Sequence, residues 1–165
     1  MSRAYIYMEH PETGEVITLG RLTLKGKLGE FLYAPDHVAR GGWVPDPINY
    51  PLRAEAYTGI AKNRGIPGFI NDAMPDGWGE RLLHRAYGQE LGTLDFLLKS
   101  PNNDRVGNLM AGGATTPAPG LGDGAVPTLK GLAKFVAACE AVYDGQLDLD
   151  ELDPYVLIYR RLEEY

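Results

Sequence analysis

Residues 4–33 read AYIYMEHPETGEVITLGRLTLKGKLGEFLY, and this stretch decides the fold. It holds three β-prone runs, residues 4–8, 16–24 and 28–33, separated by the turn signals of residues 11–14 and 25–27. Because short turns join neighbouring antiparallel strands, the pattern predicts a three-stranded meander. In the second run the apolar positions change side near Gly20, which predicts a β-bulge there.

Three short helices are predicted further along the chain. The first covers residues 69–74. Asp76 is then placed to cap a helix in which Trp78, Leu82 and Ala86 share one face. Thr93 is placed to cap the third helix, which carries Leu94, Leu97 and Leu98 and is broken by Pro101.

The segments around these helices complete the expected domain. Residues 41–59 are rich in Gly and Pro and predict an ordered surface connection held by apolar anchors, namely Trp43, Ile48, Leu52 and Tyr57. Residues 105–110 read as a strand that returns to the sheet. The sequence therefore predicts an α+β fold, a small antiparallel β-sheet with packed helices.

The last third of the chain has a different composition. Residues 115–127 (TTPAPGLGDGAVP) contain three Pro and three Gly and are typical of a linker. Two helices are predicted beyond it, one beginning at Thr128 and one at Asp153. We therefore expect an α+β domain over residues 1–114, a linker over 115–127 and a helical segment over 128–165.

Composition and charge narrow the classes of function. The chain has 165 residues, of which 44% are hydrophobic and 23% charged, with a net charge of −6. Residues 1–114 carry 13 acidic and 12 basic side chains, and residues 115–165 carry 9 acidic and 4 basic ones. Non-specific binding to nucleic acid or anionic lipid needs a clustered cationic excess. With neither a signal peptide nor a membrane-spanning run in the sequence, we expect a cytoplasmic protein that binds neither nucleic acid nor a membrane.

The residue types that commonly carry catalysis are sparse. Glu80 and His84 have the spacing of an ordinary helical pair rather than of a zinc site. Ser2 lies at the terminus, and Ser100 precedes a proline without a glycine elbow. Cys139 falls on the apolar stripe of a predicted helix, where cysteine usually acts as a small hydrophobic residue. No catalytic residue is predicted.

Two further patterns resemble ligand loops without matching them. A glycine-rich run lacks the last glycine of a dinucleotide fingerprint and the Lys of a P-loop; it consists of Gly120, Gly122 and Gly124. An acidic run lacks the glycine and the final glutamate of a calcium loop; it consists of Asp148, Asp150, Glu151 and Asp153. Neither cofactor-binding nor metal-binding residues are predicted.

Six segments, taken in order, resemble the N-terminal subdomain of HipA-type serine/threonine kinases, the toxins of HipBA toxin–antitoxin modules. They lie at residues 20–22 (GRL), 28–33 (LGEFLY), 50–52 (YPL), 69–77 (FINDAMPDG), 95–98 (DFLL) and 104–109 (DRVGNL). The chain departs from that family at Ala73 and Met74, where Leu-Leu is usual, and at Asn108, where a small residue is common.

The resemblance implies a non-catalytic part of a kinase. That chemistry needs a phosphate loop, a nucleotide-holding Lys, a catalytic Asp and a magnesium-binding Asp. The chain holds none of these in order, so ATP and magnesium are expected to belong to a kinase lobe outside it. The expected partners are that lobe, in cis or in trans, and a HipB-like DNA-binding antitoxin.

Three readings remain open. The chain can be the N-terminal portion of a larger kinase. This possibility is suggested by its last predicted helix, which begins at Asp153 and reaches Tyr165 without a capping residue. It can be a stand-alone module that inhibits a separate kinase chain, as in split toxin–antitoxin systems. It can also be a small α+β binding domain unrelated to that family.

Overall fold

A computed structural model of the chain describes residues 2–87, 90–102 and 105–118, together with positions 121, 137, 140, 141, 144 and 145. The chain separates into two compact units, Met1–Gly122 and Asp123–Tyr165. The predicted helix from Asp153 lies outside the described residues, as does most of the one from Thr128. The division at residues 115–127 into domain, linker and helical segment stays a prediction.

A five-stranded antiparallel sheet forms the centre of the first unit. Its strands are β1 (Ser2–Glu9), β2 (Val16–Lys25), β3 (Leu28–Tyr33), β4 (Tyr57–Ile60) and β5 (Leu109–Gly112). They lie in the order β4-β3-β2-β1-β5, so that the first three strands form the predicted meander. The α+β fold is confirmed.

A bulge in β2 keeps its apolar side chains on one face. The register shifts between Ile6 and Tyr7, which pair with Gly20 and Thr18 and leave an extra residue in β2. The bulge therefore lies beside Gly20, as predicted. Its effect is to place three leucines of β2 in the core, Leu19, Leu22 and Leu24.

Four short helices accompany the sheet. They are α1 (Pro35–Ala39), α2 (Gly68–Asn71), α3 (Gly77–Tyr87) and α4 (Thr93–Lys99). Side chains from α2 and α4 join the strand residues in a single core, among them Phe69, Ile70, Leu94 and Leu97. Among the described residues, no helix combines the length and the apolar character needed to cross a membrane.

Helix α3 carries the predicted cap, and its buried residue lies beside the face that Trp78, Leu82 and Ala86 share. The Asp76 side chain caps this helix, because its Oδ1 accepts hydrogen bonds from the backbone amides of Trp78 at 3.0 Å and Gly79 at 2.9 Å. The buried residue of α3, however, is Leu83, and the predicted residues Trp78, Leu82 and Ala86 are only half-buried. Helical spacing identifies residues that share a face but not which face a short helix turns towards the core.

The connections also differ from their predictions. Residues 41–59 include the start of β4, and Ile48 is no anchor, because 88% of it is exposed. Trp43 is 48% exposed, and its neighbour Val44 enters the core instead. The returning strand β5 begins only at Leu109, because the preceding residues form turns.

Candidate functional site

The helical pair Glu80 and His84 makes two separate contacts, an ion pair by Glu80 and a ring contact by His84. Glu80 Oε1 accepts a hydrogen bond at 2.8 Å from the guanidinium of Arg64, forming an ion pair. The His84 ring meets the Phe96 ring edge-on, with 5.0 Å between centroids. The two side chains are thus directed to different neighbours, as expected of an ordinary helical pair.

Of the remaining candidate residues from the sequence, Ser2 and Ser100 lie within the described residues. Ser2 is exposed at the start of β1, and Ser100 is buried with its hydroxyl 3.4 Å from the Leu97 carbonyl oxygen. The described residues hold no group of three or more His, Cys, Asp or Glu that could bind a metal ion. The remaining positions lie outside the described residues: Cys139, Gly120, Gly122, Gly124, Asp148, Asp150, Glu151 and Asp153.

Aromatic side chains from three of the six segments pack against one another. Phe31 in β3 meets Tyr33 and Phe69 edge-on, with centroid distances of 4.9 and 5.4 Å. Tyr50 lies 5.3 Å from Phe69 and 5.0 Å from Tyr57, again in edge-on geometry. Such pairs add directional attraction to the burial of apolar area. Segments 28–33, 50–52 and 69–77 therefore build one aromatic cluster.

Hydroxyl groups of this cluster hold the chain that passes over it. Tyr33 donates a hydrogen bond to the Tyr50 carbonyl oxygen at 2.6 Å, and Tyr57 donates one to the Pro51 carbonyl oxygen. Burial raises the pKa of Tyr33 far above its ordinary value and also raises that of Tyr50. The Tyr33 phenol therefore stays protonated at neutral pH, as its role as a hydrogen-bond donor requires.

Gly20 lies beneath the same cluster. A Cβ at this position would lie 2.5 Å from the Leu32 carbonyl oxygen and 2.8 Å from the Phe31 ring. Only glycine leaves room for the ring over the strand. The GRL segment thus contributes a close contact rather than a chemical group.

Arg105 connects the end of α4 with the loop after α2. Its guanidinium donates hydrogen bonds to four acceptors, which are Asn102 Oδ1 at 2.9 Å, the carbonyl oxygens of Ser100 at 2.9 Å and Ala73 at 3.2 Å, and that of Leu97. A planar guanidinium offers five N–H donors spread over three nitrogen atoms in a fixed geometry, whereas an ammonium offers three on a single nitrogen. We call this arrangement the Arg105 clamp.

Asn102 extends the clamp to the sheet. Its Nδ2 donates to the Ala111 carbonyl oxygen at 3.0 Å, and its Oδ1 accepts from the Ala111 amide at 2.8 Å. The side-chain amide therefore occupies both backbone groups of Ala111 on the outer side of β5, where a further strand would otherwise bind.

Residues 41–49, which we call the Trp43 loop, form the candidate interaction site. The loop exposes two large apolar side chains, Trp43 and Ile48. Asp46 fixes the tip, because its carboxylate accepts hydrogen bonds from the Asn49 amide at 3.0 Å and from Asn49 Nδ2 at 2.9 Å. These bonds lower the pKa of Asp46 and keep it ionised. Two prolines, Pro45 and Pro47, further restrict the backbone.

His37 fixes the base of the Trp43 loop. The ring is 5% exposed, and its Nε2 lies 2.9 Å from the Trp43 carbonyl oxygen, to which it donates a hydrogen bond. Burial lowers the pKa of His37, so the ring is neutral at pH 7. It also packs against Gly42, where a Cβ would lie 2.2 Å from a ring carbon. The loop therefore presents its apolar side chains on a backbone that is fixed in advance.

The Trp43 loop has the features of a surface that binds another molecule. A fixed loop loses little conformational entropy on binding, and exposed Trp and Ile side chains can fill a pocket on a partner. The sequence interpretation missed this role, because it treated both residues as inward anchors. The missed signal was the spacing of Asp46 and Asn49 between two prolines, which is typical of a rigid turn.

Comparisons with known proteins add no identification. No protein-family model matches the chain, and no curated protein matches it.

Proposed function

We propose that the chain is a non-catalytic N-terminal portion of a HipA-like serine/threonine kinase toxin. In this proposal it packs on the kinase lobe and contributes to contacts with the antitoxin or the substrate. ATP and magnesium bind to the lobe, which lies outside these 165 residues. The chain itself acts as a binding partner of that lobe.

The proposal is supported above all by the contacts that the six segments resembling the kinase family make with one another. Three of them meet in the aromatic cluster, GRL supplies the glycine beneath it, and the last two are connected by the Arg105 clamp from α4 to the turn before β5. A resemblance by chance has no reason to select residues that depend on one another in this way. The pattern is expected of a fold that a family keeps.

The Trp43 loop is the surface we assign to the contact with the lobe. Interfaces draw most of their binding energy from a few large side chains, often Trp, set in a pocket of the partner. Trp43 and Ile48 are exposed on a backbone held by His37 and Asp46. A rigid apolar projection suits a permanent contact better than a transient one.

The second candidate is a stand-alone module that binds and inhibits a separate kinase chain. It uses the same surface and differs only in whether the lobe is covalently attached. Reading the gene beyond the codon for Tyr165 distinguishes the two. An open frame with a glycine-rich loop, a Lys and two Asp motifs supports the first candidate, whereas a stop codon followed by a kinase gene supports the second.

Binding between the chain and the kinase polypeptide tests both candidates. We expect Ile48→Ser to weaken the association about tenfold, since a central apolar anchor contributes more than about 1 kcal/mol. Val106→Ser is the matched control, because Val106 is also an exposed apolar residue in a loop, outside the Trp43 loop. Equal effects of the two substitutions would contradict the assigned surface, and titration heat from ATP with magnesium on this chain alone would contradict both candidates.

A further inference from the structure

Basic side chains gather on the face of the sheet opposite the core. Ala4, Leu22 and Leu24 point into the core, so the alternate residues Arg3, Arg21 and Lys25 share the other face. We call this surface the basic sheet face. In the ladder Arg3 lies opposite Thr23, and Arg21 lies opposite Tyr5. Lys27 follows in the turn after β2.

These cations are not neutralised within the described part of the chain. Neither Arg3, Arg21, Lys25 nor Lys27 forms an ion pair there. The acidic residue among them is Glu30, which lies opposite Thr23 and makes no ion pair with them. The basic sheet face is therefore positive in a protein whose net charge is −6.

Among the described residues, one buried donor atom on this face lacks a hydrogen-bond acceptor. Arg21 Nε is buried without a hydrogen-bond partner, although a guanidinium is a strong donor. The pKa of the neighbouring Tyr5 is lowered, first by a hydrogen bond with the Thr115 side chain. Burial opposes this shift, and the charges of Arg3 and Arg21, together with a hydrogen bond with Arg21, lower the pKa further.

Apolar side chains border the charges. Leu28 lies opposite Lys25 and is 52% exposed, and Leu32 lies opposite Arg21 and is half-buried. A partner that contacted only the arginines would leave this apolar area in water. The surface fits a ligand that carries carboxylates and aliphatic groups together.

We propose that the basic sheet face binds an acidic, leucine-rich segment of a partner protein. Carboxylates of that segment contact Arg3, Arg21 and Lys25, and its aliphatic side chains cover Leu28. The observations favour a protein segment over nucleic acid, because a phosphate backbone is held by a longer row of cations and offers no aliphatic side chains to cover Leu28.

The proposal does not rest on the kinase assignment. An acidic partner is expected on this face whether or not the Trp43 loop contacts a kinase lobe. The two surfaces use different residues, so either can fail while the other holds.

A short fluorescent peptide of repeated Glu-Glu-Leu units, mixed with the full chain, tests the proposal by fluorescence anisotropy. The comparison ligands are a Lys-Lys-Leu peptide of the same length and a single-stranded oligonucleotide. The test variant is Arg3→Gln with Lys25→Gln, two exposed positions on the basic sheet face. Its matched control is Arg40→Gln with Lys62→Gln, two exposed cations elsewhere whose loss changes the net charge equally.

We expect the acidic peptide to bind and the basic peptide not to bind. Because exposed ion pairs contribute modestly, the Arg3 and Lys25 variant is expected to bind about fivefold to tenfold more weakly, and the control within about twofold of the native chain. Raising the salt concentration from about 50 to about 500 mM should weaken binding by screening. No binding of the acidic peptide, equal losses in the two variants, or tighter binding of the oligonucleotide would each overturn the proposal.

Discussion

Replacement of Arg105 tests whether the segments that carry the family resemblance stabilise the fold. In Arg105→Ala the four hydrogen bonds of the clamp are lost, and three of their acceptors are backbone carbonyl oxygens. A hydrogen bond to a charged group contributes about 1.5–3 kcal/mol, so a simple sum gives roughly 6–12 kcal/mol. Because Arg105 is only half-buried, water can replace part of these bonds. We expect the free energy of unfolding to fall by about 3 kcal/mol.

Arg105→Lys separates charge from geometry. An ammonium keeps the positive charge but cannot reach the four acceptors with the fixed fork of a guanidinium. We expect this variant to lose about 2 kcal/mol, closer to the alanine variant than to the native chain. Near-native stability of Arg105→Lys would show that a positive charge at position 105 is enough to stabilise the fold.

The matched control is Arg53→Ala. Arg53 also donates to two backbone carbonyl oxygens, at 3.2 and 3.0 Å, and its guanidinium lies 3.6 Å above the Tyr57 ring, but it is exposed. Exposed interactions of this kind contribute less than about 1 kcal/mol. Both tryptophans, Trp43 and Trp78, belong to the first compact unit, so urea unfolding followed by tryptophan fluorescence reports on that unit. If Arg105→Ala changed stability by less than about 0.5 kcal/mol, the clamp would not stabilise the fold.

Three further outcomes can be measured in the same assay. Gly29→Ala places a Cβ 1.7 Å from the Gly65 carbonyl oxygen and is expected to cost about 3 kcal/mol or more, whereas Gly68→Ala meets no atom within 4 Å and should stabilise its helix by about 0.5 kcal/mol. Since the pKa of His37 is lowered in the fold, the unfolded chain binds the proton first, so stability should fall as pH drops below about 6.5, and less steeply in His37→Gln. Ile48→Ser should change the free energy of unfolding by less than about 0.5 kcal/mol. A larger loss would show that Ile48 packs against the core, as the sequence predicts.

The meander could be predicted because its information is local. Each of β1, β2 and β3 is bounded by turn residues, and the change of apolar side near Gly20 signalled the bulge. The Asp76 cap was predicted for the same reason, since its acceptor serves amides only two and three residues away. Short-range patterns of this kind require no knowledge of the tertiary structure.

The predictions that were wrong concern residues whose structure depends on contacts with parts of the chain far away in sequence. Local pattern contains no indication that Arg105 bonds to carbonyl groups of two other segments, so it predicts a strand at residues 105–108, where the structure has bends. The exposure of Ile48 depends on how His37 directs the Trp43 loop. Side-chain contacts across the chain decide each of these cases, and pattern alone does not contain them.

The protection of β5 has a consequence for how the molecule assembles. Asn102 already satisfies Ala111, so an incoming polypeptide finds no ladder to continue along that rim. At the other rim, β4 has four residues and an irregular register, which makes it a poor template. The two edges of this sheet therefore offer copies of the protein little backbone to pair with, and recognition by the described part of the chain is left to side chains on loops and on the faces of the sheet.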